Sequence, residues 1–403
     1  MRYAKTAART FAPSRWMLGL ALLLFFSVGQ AFADEIDTAF LFRIYPSGES
    51  EQVAFSADGE RLAVACAPNA LQIHDAQSGK LIKKFELLTE DEQALINADA
   101  LHDAPKTMSL AFSPDSSLIA IGNSAGHAKL FDVQSGQQTM IFDGVDRTRD
   151  LPNFLQMHLA HGDVETIGFS LDAKTVVTGG GVIDYFQDRM MRTRIHSAGL
   201  IKLWNAKTGK LIADLKNEHS SKVYAASFSP DGSQLATVGH FSWVKGSAGT
   251  GLKLWDTKTN QVTKVLKIPK AHLEGVWPWA VAFNSDATKI AVGVWRASSD
   301  GESGGSIAVF DAAKDEMQHI WDTPKFIRQV AFTANDQYIV AKTNVNTVTF
   351  WDTQGNEKHA LRPIGKPQNI RWEHIAISKA NNTIAIGGRD ANKRPLVDVW
   401  EIR

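Results

Sequence analysis

Histidine is the residue type through which this chain could most readily bind a metal. Twelve histidines are present, and four of them fall in long connections between apolar runs: His158, His161, His196 and His240. Imidazole nitrogens suit zinc and copper, so convergence of these side chains would create a metal site. No cysteine pair, His-Glu-x-x-His sequence or fixed ligand spacing accompanies them. A metal- or small-ligand-binding protein, which could be an enzyme, is therefore the alternative hypothesis for this chain.

Nucleophilic catalysis is the second chemistry to consider, because G-x-S-x-G occurs at 122–126 and at 301–305. A nucleophile elbow requires a strand followed directly by a helix. Both matches lie between runs that alternate as strands do, so we interpret them as glycine-rich loops. The chain also lacks C-x-x-C-H, an EF-hand loop and a P-loop. The sequence predicts no catalytic residue, no cofactor and a protein that is not an enzyme.

Aromatic and arginine side chains are concentrated in the same long connections. These residue types are enriched in protein interfaces, and guanidinium groups favour an acidic feature on the partner. We predict eleven partner-binding residues: Tyr185, Phe186, Arg189, Arg192, Arg194, Phe241, Trp243, Trp277, Trp279, Trp295 and Arg296. Two alternatives stay open. Segment 180–198 could form a hairpin that packs its apolar residues on its own repeat, and some tryptophans could pack between repeats.

A repeated pattern supplies the elements that must position these side chains. In its clearest copy, 223–256, an alternating apolar run ends in Ser-Pro-Asp-Gly, a second run follows, and a third closes on Trp-Asp. Period-two alternation is typical of half-buried strands, and Pro-Asp-Gly of a tight turn. Seven copies align on one first-strand residue each: Phe55, Phe112, Phe169, Phe228, Phe283, Phe332 and Ile377. Their closing residues are Asp75, Asp132, Asn205, Asp256, Asp311, Asp352 and Glu401.

Four short strands in each copy, named a to d, are the signature of a propeller blade. The sequences Ser229-Pro-Asp-Gly232, Leu254-Trp255-Asp256 and Phe350-Trp351-Asp352 resemble the WD40-repeat family, and the resemblance covers about residues 38–403. It implies an all-β, seven-bladed WD40-type β-propeller that acts as a scaffold. The last copy ends after strand c, and the alternating segment 38–45 has no blade of its own. The resemblance implies that this N-terminal strand completes the last blade and closes the ring, which would remove exposed sheet edges.

The resemblance also gives four histidines a structural role. In the family, a histidine of the d–a connection joins a hydrogen-bonded network with strand b, the tryptophan of strand c and an aspartate of the b–c turn. The histidines that match this spacing are His102, His161, His219 and His272. The b–c aspartate is mostly missing here, for example in 122–126. Some of these imidazoles could therefore serve the alternative metal site, which would lie at the central funnel.

The copies differ in length in one systematic way. From first-strand residue to closing residue, copies one, two and six span 20 positions (75 − 55 for the first). Copies three, four, five and seven span 36, 28, 28 and 24. The excess lies in the b–c and d–a connections, which leave a four-stranded meander at the same end. Because loops on a rigid scaffold carry function, we predict that this end binds the partner. Within the first long connection, a capping box at 89–92 predicts a short helix over 89–104.

The N-terminus has the layout of a secretory signal peptide. Arg2, Lys5, Arg9 and Arg15 precede the apolar run 16–28 and then Ala-Phe-Ala at 31–33. About 13 apolar residues are too few to span a ~30 Å hydrocarbon layer, so we predict cleavage after Ala33, export to a bacterial periplasm, and a propeller domain over 34–403. The mature chain would carry 39 basic and 43 acidic residues, a net charge of −4 (39 − 43). That balance argues against nucleic-acid binding. The predicted partner is another envelope protein or a peptide.

Overall fold

The computed structural model describes residues 36–47, 49–67, 70–88, 105–143, 161–187, 193–215, 222–239, 251–266, 276–296, 304–314, 316–364 and 370–403. At 49–51, 67, 143, 161, 182–187, 193–198 and 276 only the backbone is described. Residues Thr38–Arg403 form one compact unit by themselves.

Every element in these ranges is a β-strand. The first strand is β1 (Thr38–Ile44). Blade one contains β2 (Glu49–Phe55), β3 (Arg61–Ala67), β4 (Ala70–Asp75) and β5 (Leu81–Glu86). Blade two contains β6 (Thr107–Phe112), β7 (Leu118–Asn123), β8 (His127–Asp132) and β9 (Gln138–Asp143). Blade three contains β10 (His161–Phe169), β11 (Thr175–Gln187), β12 (Thr193–Asn205) and β13 (Leu211–Asp214).

The remaining blades follow the same order. Blade four contains β14 (Val223–Phe228), β15 (Gln234–Gly239), β16 (Leu252–Asp256) and β17 (Gln261–Leu266). Blade five contains β18 (Val276–Phe283), β19 (Lys289–Arg296), β20 (Gly304–Asp311) and β21 (Glu316–Thr323). Blade six contains β22 (Ile327–Phe332), β23 (Tyr338–Thr343), β24 (Val348–Asp352) and β25 (Glu357–Leu361). Blade seven contains β26 (Ile370–Ser378), β27 (Thr383–Asp390) and β28 (Pro395–Ile402).

The seven four-stranded antiparallel sheets form a ring, which confirms the prediction of a seven-bladed propeller. Strand a of each blade is its inner strand, and it contacts strand a of both neighbouring blades around the full circle. The core lies between the sheets. For example, Val238 and Leu254 of blade four pack with Phe283 and Val292 of blade five in one buried cluster. Burying apolar faces between successive blades stabilises each sheet through its neighbours.

The residues that defined the repeat shape its turns. Ser229 Oγ donates to Asp231 Oδ1 at 2.5 Å and accepts from the N–H of Gln234 at 2.9 Å, which fixes the a–b turn. The closing residue Asp256 accepts from the N–H of Thr259 at 2.7 Å in the c–d turn. Trp255 Nε1 donates to Thr237 Oγ1 on strand b at 2.9 Å. In blade four, the Ser, Asp and Trp side chains therefore satisfy local polar groups.

Strand β1 lies at the outer edge of blade seven, antiparallel to β28. Its Arg43 donates two hydrogen bonds to Asp398 of β28, from Nε at 2.5 Å and from Nη2 at 2.9 Å. The Asp398 carboxylate is fully buried, and it also accepts from Trp372 Nε1 of β26 at 3.0 Å. Asp398 thus links the inner and outer strands of a blade whose members come from both ends of the chain.

Connection lengths separate the two ends of the ring. The a–b and c–d connections are all four or five residues long, as in 56–60 and 312–315. The b–c and d–a connections range from two residues (68–69) to twenty (87–106). The end that carries the b–c and d–a connections is called the inserted face below. In blade three the additional residues mainly lengthen the strands, because β11 and β12 have 13 residues each and pair along their whole length.

Cys66 lies on β3 with 1% exposure, so its thiol is buried. The helix expected over 89–104 lies outside the described residues. Within the described ranges, no helix has the length and apolarity that a membrane crossing requires.

Candidate functional site

Each inner strand carries a one-residue β-bulge near its start, on the side of the inserted face. The register shifts flank one unpaired residue in every blade. A bulge re-aims the side chain of its additional residue away from the regular alternation. In blade order the bulged residues, called the bulge ring, are Glu51, Met108, Glu165, Tyr224, Trp279, Arg328 and Glu373.

The bulge ring lines the central channel. Six of its seven members border a cavity of about 280 Å³, and the side chain of the seventh, Glu51, is not described. This volume is at the lower limit of the roughly 300–1,000 Å³ of small-molecule pockets. Gln329 and His374 also line the wall. The cavity therefore has room for a side chain or a short segment rather than a large ligand.

Aromatic side chains form one wall of this channel mouth. The rings of Tyr224 and Trp279 stack with centroids 4.3 Å apart, and those of Trp277 and Trp295 with centroids 4.0 Å apart. The ring of Phe326 lies 6.1 Å from both Trp279 and Trp295. All five side chains are half-buried. The structure thus brings three predicted tryptophans together, and it adds Tyr224 and Phe326, which sequence analysis did not select.

The other predicted partner-binding residues are described less completely. Arg296 lies at the end of β19, where its Nη1 is 2.9 Å from Asp322 Oδ2 of the same blade. Tyr185 and Phe186 lie on β11, and Arg194 pairs in register with Phe186 across the hairpin. Their side chains are not described. The residues outside the described ranges are Arg189, Arg192, Phe241 and Trp243.

The histidines of the alternative metal site are also only partly described. His161 begins β10 and His196 lies on β12, both with backbone placement only. His158 and His240 lie outside the described residues, as do His102, His219 and His272. Among the residues that are described, no group of three His, Cys, Asp or Glu side chains could hold a metal ion. The metal hypothesis stays a prediction.

Blade three and its neighbour place an acidic cluster on the channel. Lys222 Nζ lies 2.6 Å from Asp163 Oδ2 and also forms an ion pair with Glu165. Burial raises the pKa of Glu165, although Lys222 opposes that effect. Burial would lower the pKa of Lys222, but the two carboxylates outweigh it and the pKa is raised. This sector therefore contains two carboxyl groups and a single amine.

Blades six and seven place a basic sector on the other side of the ring. Among the described residues, its cations are Arg328, Lys342, Arg371 and Arg389, and the carboxylate that pairs with them is Glu373. Burial, followed by the charge of Arg328, lowers the pKa of Lys342 to about 8. Burial, followed by the charges of Arg328 and Lys342, lowers the pKa of His374 to about 3. For both groups burial is the larger cause, and the positive charge of Arg328 lowers the pKa further.

A simple signal in the repeat could have identified these residues. Every member of the bulge ring stands four positions before the aligned first-strand residue of its blade, as Arg328 does before Phe332. Sequence alignment alone gives the shared position. It does not reveal the bulge that turns the position toward the channel, because a bulge is a property of strand pairing.

Comparison with known proteins agrees with the architecture over parts of the chain. Residues 209–256 match the family "WD domain, G-beta repeat", and residues 41–99 match the family "Anaphase-promoting complex subunit 4 WD40 domain". WD repeat and SOCS box-containing protein 1 is similar in Xenopus tropicalis (30% identical) and in Mus musculus (31% identical), in each case over 112 residues. These matches cover 28% of this chain and 24% of each relative.

A guanine nucleotide-binding protein subunit beta of Solanum tuberosum is 24% identical over 147 residues, which is 36% of this chain and 30% of the relative. The chain thus spans between a quarter and a third of the length of the curated relatives it matches. The matched families are repeat families, in agreement with the sheets and turns described above.

Proposed function

The chain belongs to the WD40-repeat family, and from this premise we propose that it is a non-catalytic interaction protein of the cell envelope. Its inserted face binds another envelope protein or a peptide. WD40 propellers in general act as protein-interaction scaffolds, which supports this class of function. The relatives match over less than a third of their own length, so the proposal does not extend to their activities.

The observation that carries this proposal is the composition of the channel mouth. A half-buried aromatic wall lies beside charged groups at the end of the ring that also holds all the long connections. Interfaces combine aromatic anchors with arginine in this way, and a rigid scaffold reduces the entropy cost of binding. The opposite end carries only turns of four or five residues.

Affinity capture from the native envelope tests the proposed face. The triple variant Arg189→Ala, Arg192→Ala and Trp243→Ala should lose the partners that the wild-type protein retains. A matched triple at the opposite end, Lys80→Ala, Lys207→Ala and Lys258→Ala, removes three exposed cations from c–d turns and should retain them. If both triple variants recovered the same amount of partner, the proposal that the inserted face binds the partner would be wrong.

Export is the second part of the proposal, and it rests on the residues that precede the propeller. Cell fractionation should place the protein in the periplasm, and N-terminal sequencing of the purified protein should begin at Asp34. A protein that retains Met1–Ala33 in the cytoplasm would refute the envelope location, although the interaction face could still be tested with purified protein.

A further inference from the structure

Charge is distributed unevenly around the channel mouth. Ring order places blade three across the channel from the junction of blades six and seven. The acidic cluster of blade three therefore faces the basic sector. In the part of the basic sector that the structure describes, four cations accompany the carboxylate of Glu373. An excess of positive charge at a concave, partly desolvated surface attracts an anion.

The existing carboxylate does not neutralise this sector. Oε1 of Glu373 lies 3.1 Å from Arg371 Nε and 3.3 Å from Arg389 Nη2, so one oxygen serves two guanidinium groups. Lys342 is buried, and its Nζ donates to the carbonyl oxygens of Thr343 and Val345. Arg371, Arg389 and Lys342 therefore already have partners within their own blades. They contribute positive charge to the sector, but their donors are used in these contacts.

Arg328 differs from its neighbours. It is exposed, it belongs to the bulge ring, and its guanidinium lies over the Phe326 ring, 5.4 Å from the centroid. In the described ranges, Arg328 has no carboxylate partner for its guanidinium donors. An arginine stacked on an aromatic ring keeps its planar edge available for a carboxylate. Trp279, which borders the same cavity, provides an apolar surface next to it.

We propose that Arg328 is the anchor of a carboxylate-binding subsite, which receives an aspartate or glutamate side chain of the protein partner. This inference rests on the proposed function and names the chemistry that the inserted face recognises. The aromatic wall formed by Trp279 and Phe326 contacts the chain around the bound acid. The opposite wall, with Asp163 and Glu165, favours a singly charged carboxylate on a peptide over a dianion and accepts donors from the peptide backbone.

Two peptides test the subsite without knowledge of the partner. Acetyl-Gly-Phe-Glu-Gly-amide and its glutamine counterpart differ only in the carboxylate. At low salt, the wild-type protein should bind the glutamate peptide about tenfold or more tightly, as expected for a charge-assisted pair. Arg328→Gln should reduce this preference to within about twofold, whereas Arg328→Lys should retain part of it. High salt should weaken the preference.

The matched control is Arg403→Gln. Arg403 is an arginine at the opposite end of blade seven that pairs with Glu401, and its loss should leave the preference unchanged. The melting temperatures of the variants establish that each one is folded. A wild-type protein without preference for glutamate, including one that binds neither peptide, overturns the proposal. A preference that survives in Arg328→Gln also overturns it.

Capture of the native partner separates this inference from the proposed function. If the wild-type protein retains a partner and Arg328→Gln loses it while Arg403→Gln keeps it, the subsite is supported. If Arg328→Gln keeps the partner, the subsite is wrong and the interaction face stands. If the wild-type protein retains no partner, the proposed function fails, and the peptide pair still decides whether the subsite exists.

Discussion

At the scale of single residues, the bulge position of the inner strand holds a different type of side chain in most blades. The bulge ring places a carboxylate, a thioether, aromatic rings and a guanidinium at equivalent points of seven similar blades. The aligned first-strand position, four residues later, is a phenylalanine in six of the seven copies. Side chains that pack between sheets must match their neighbours, whereas side chains in the channel face solvent and can differ.

Arg328 and Lys342 allow a direct measurement of the field in the basic sector. Arg328→Gln removes a positive charge that disfavours the protonated amine, so the pKa of Lys342 should rise above its value of about 8. An NMR titration of the Lys342 side chain measures this change. Arg394→Gln removes an arginine that pairs with Asp390 and should leave the value in place. A pKa of Lys342 that is unchanged or lower in Arg328→Gln would contradict the assignment of the field.

At the scale of elements, the attachment of β1 to blade seven depends on a few specific contacts. The strand lies far from β28 in sequence, so ordering it costs chain entropy that local interactions must offset. The fully buried Asp398 and its pairing with Arg43 provide one such interaction, and the Gly79 turn of blade one, packed against Phe42 of β1, provides another.

Arg43→Met tests the ion pair of blade seven. The substitution leaves the buried Asp398 carboxylate without its cation, and breaking a buried pair in this way costs about 3–5 kcal/mol of unfolding free energy. Urea denaturation followed by circular dichroism gives the change. Lys84→Met, which breaks the exposed pair between Lys84 and Glu86 on β5, should cost at most about 1 kcal/mol. If both variants lost a similar amount of unfolding free energy, the pairing of Asp398 with Arg43 would contribute no more to stability than an exposed ion pair.

Gly79→Ala tests the turn against which β1 packs. Gly79 has a φ of 71°, and an added Cβ would lie 2.8 Å from the ring of Phe42. Both effects oppose a side chain, so the unfolding free energy should fall by about 1–3 kcal/mol. In Gly168→Ala the added Cβ meets only Val177 Cγ1, at 3.6 Å. That control should change stability by less than about 1 kcal/mol in thermal unfolding.

At the scale of the whole molecule, the closing aspartates of five blades give the propeller a common response to acid. The closing aspartates accept hydrogen bonds from their own turns, and the pKa of Asp75, Asp132 and Asp256 is lowered by bonds from Ser78, Ser135 and Thr259. A pKa that is lower in the folded state gives stability above the unfolded pKa of about 3.9, and this stability is lost as pH falls further. The melting temperature should therefore decrease as the pH falls below about 4.

Blade three provides the natural control for this acid response. Its closing residue is Asn205, whose side-chain oxygen accepts from the N–H of Thr208 at 2.8 Å without a titratable group. Asp256→Asn should accordingly preserve the c–d turn of blade four and reduce the difference in melting temperature between pH 7 and pH 3. A variant that loses stability equally at both values would show that the amide cannot replace the carboxylate. An unchanged difference would show that Asp256 does not contribute.

Residue types and their spacing were sufficient to predict the parts of this protein that depend on local chemistry. Apolar alternation, the Ser and Asp turn residues, and the copy lengths gave the number of blades and the end at which the longest connections emerge, because each follows from hydrogen bonds and side-chain directions within a few residues. Trp277, Trp279 and Trp295 were selected for their type and position. The placement of Arg189, Arg192, Phe241 and Trp243 stays a prediction.

Which side chains contact one another around the channel follows from the packing of the seven sheets. The pairing of Tyr224 with Trp279, the acidic cluster around Lys222 and the basic sector around Arg328 each join residues of different blades. A bulge in each inner strand directs one side chain toward the channel. Closure of the ring determines which blades are neighbours and which lie on opposite sides of the channel. Both depend on strand pairing and sheet packing over long sequence separations, which residue types and spacing do not encode.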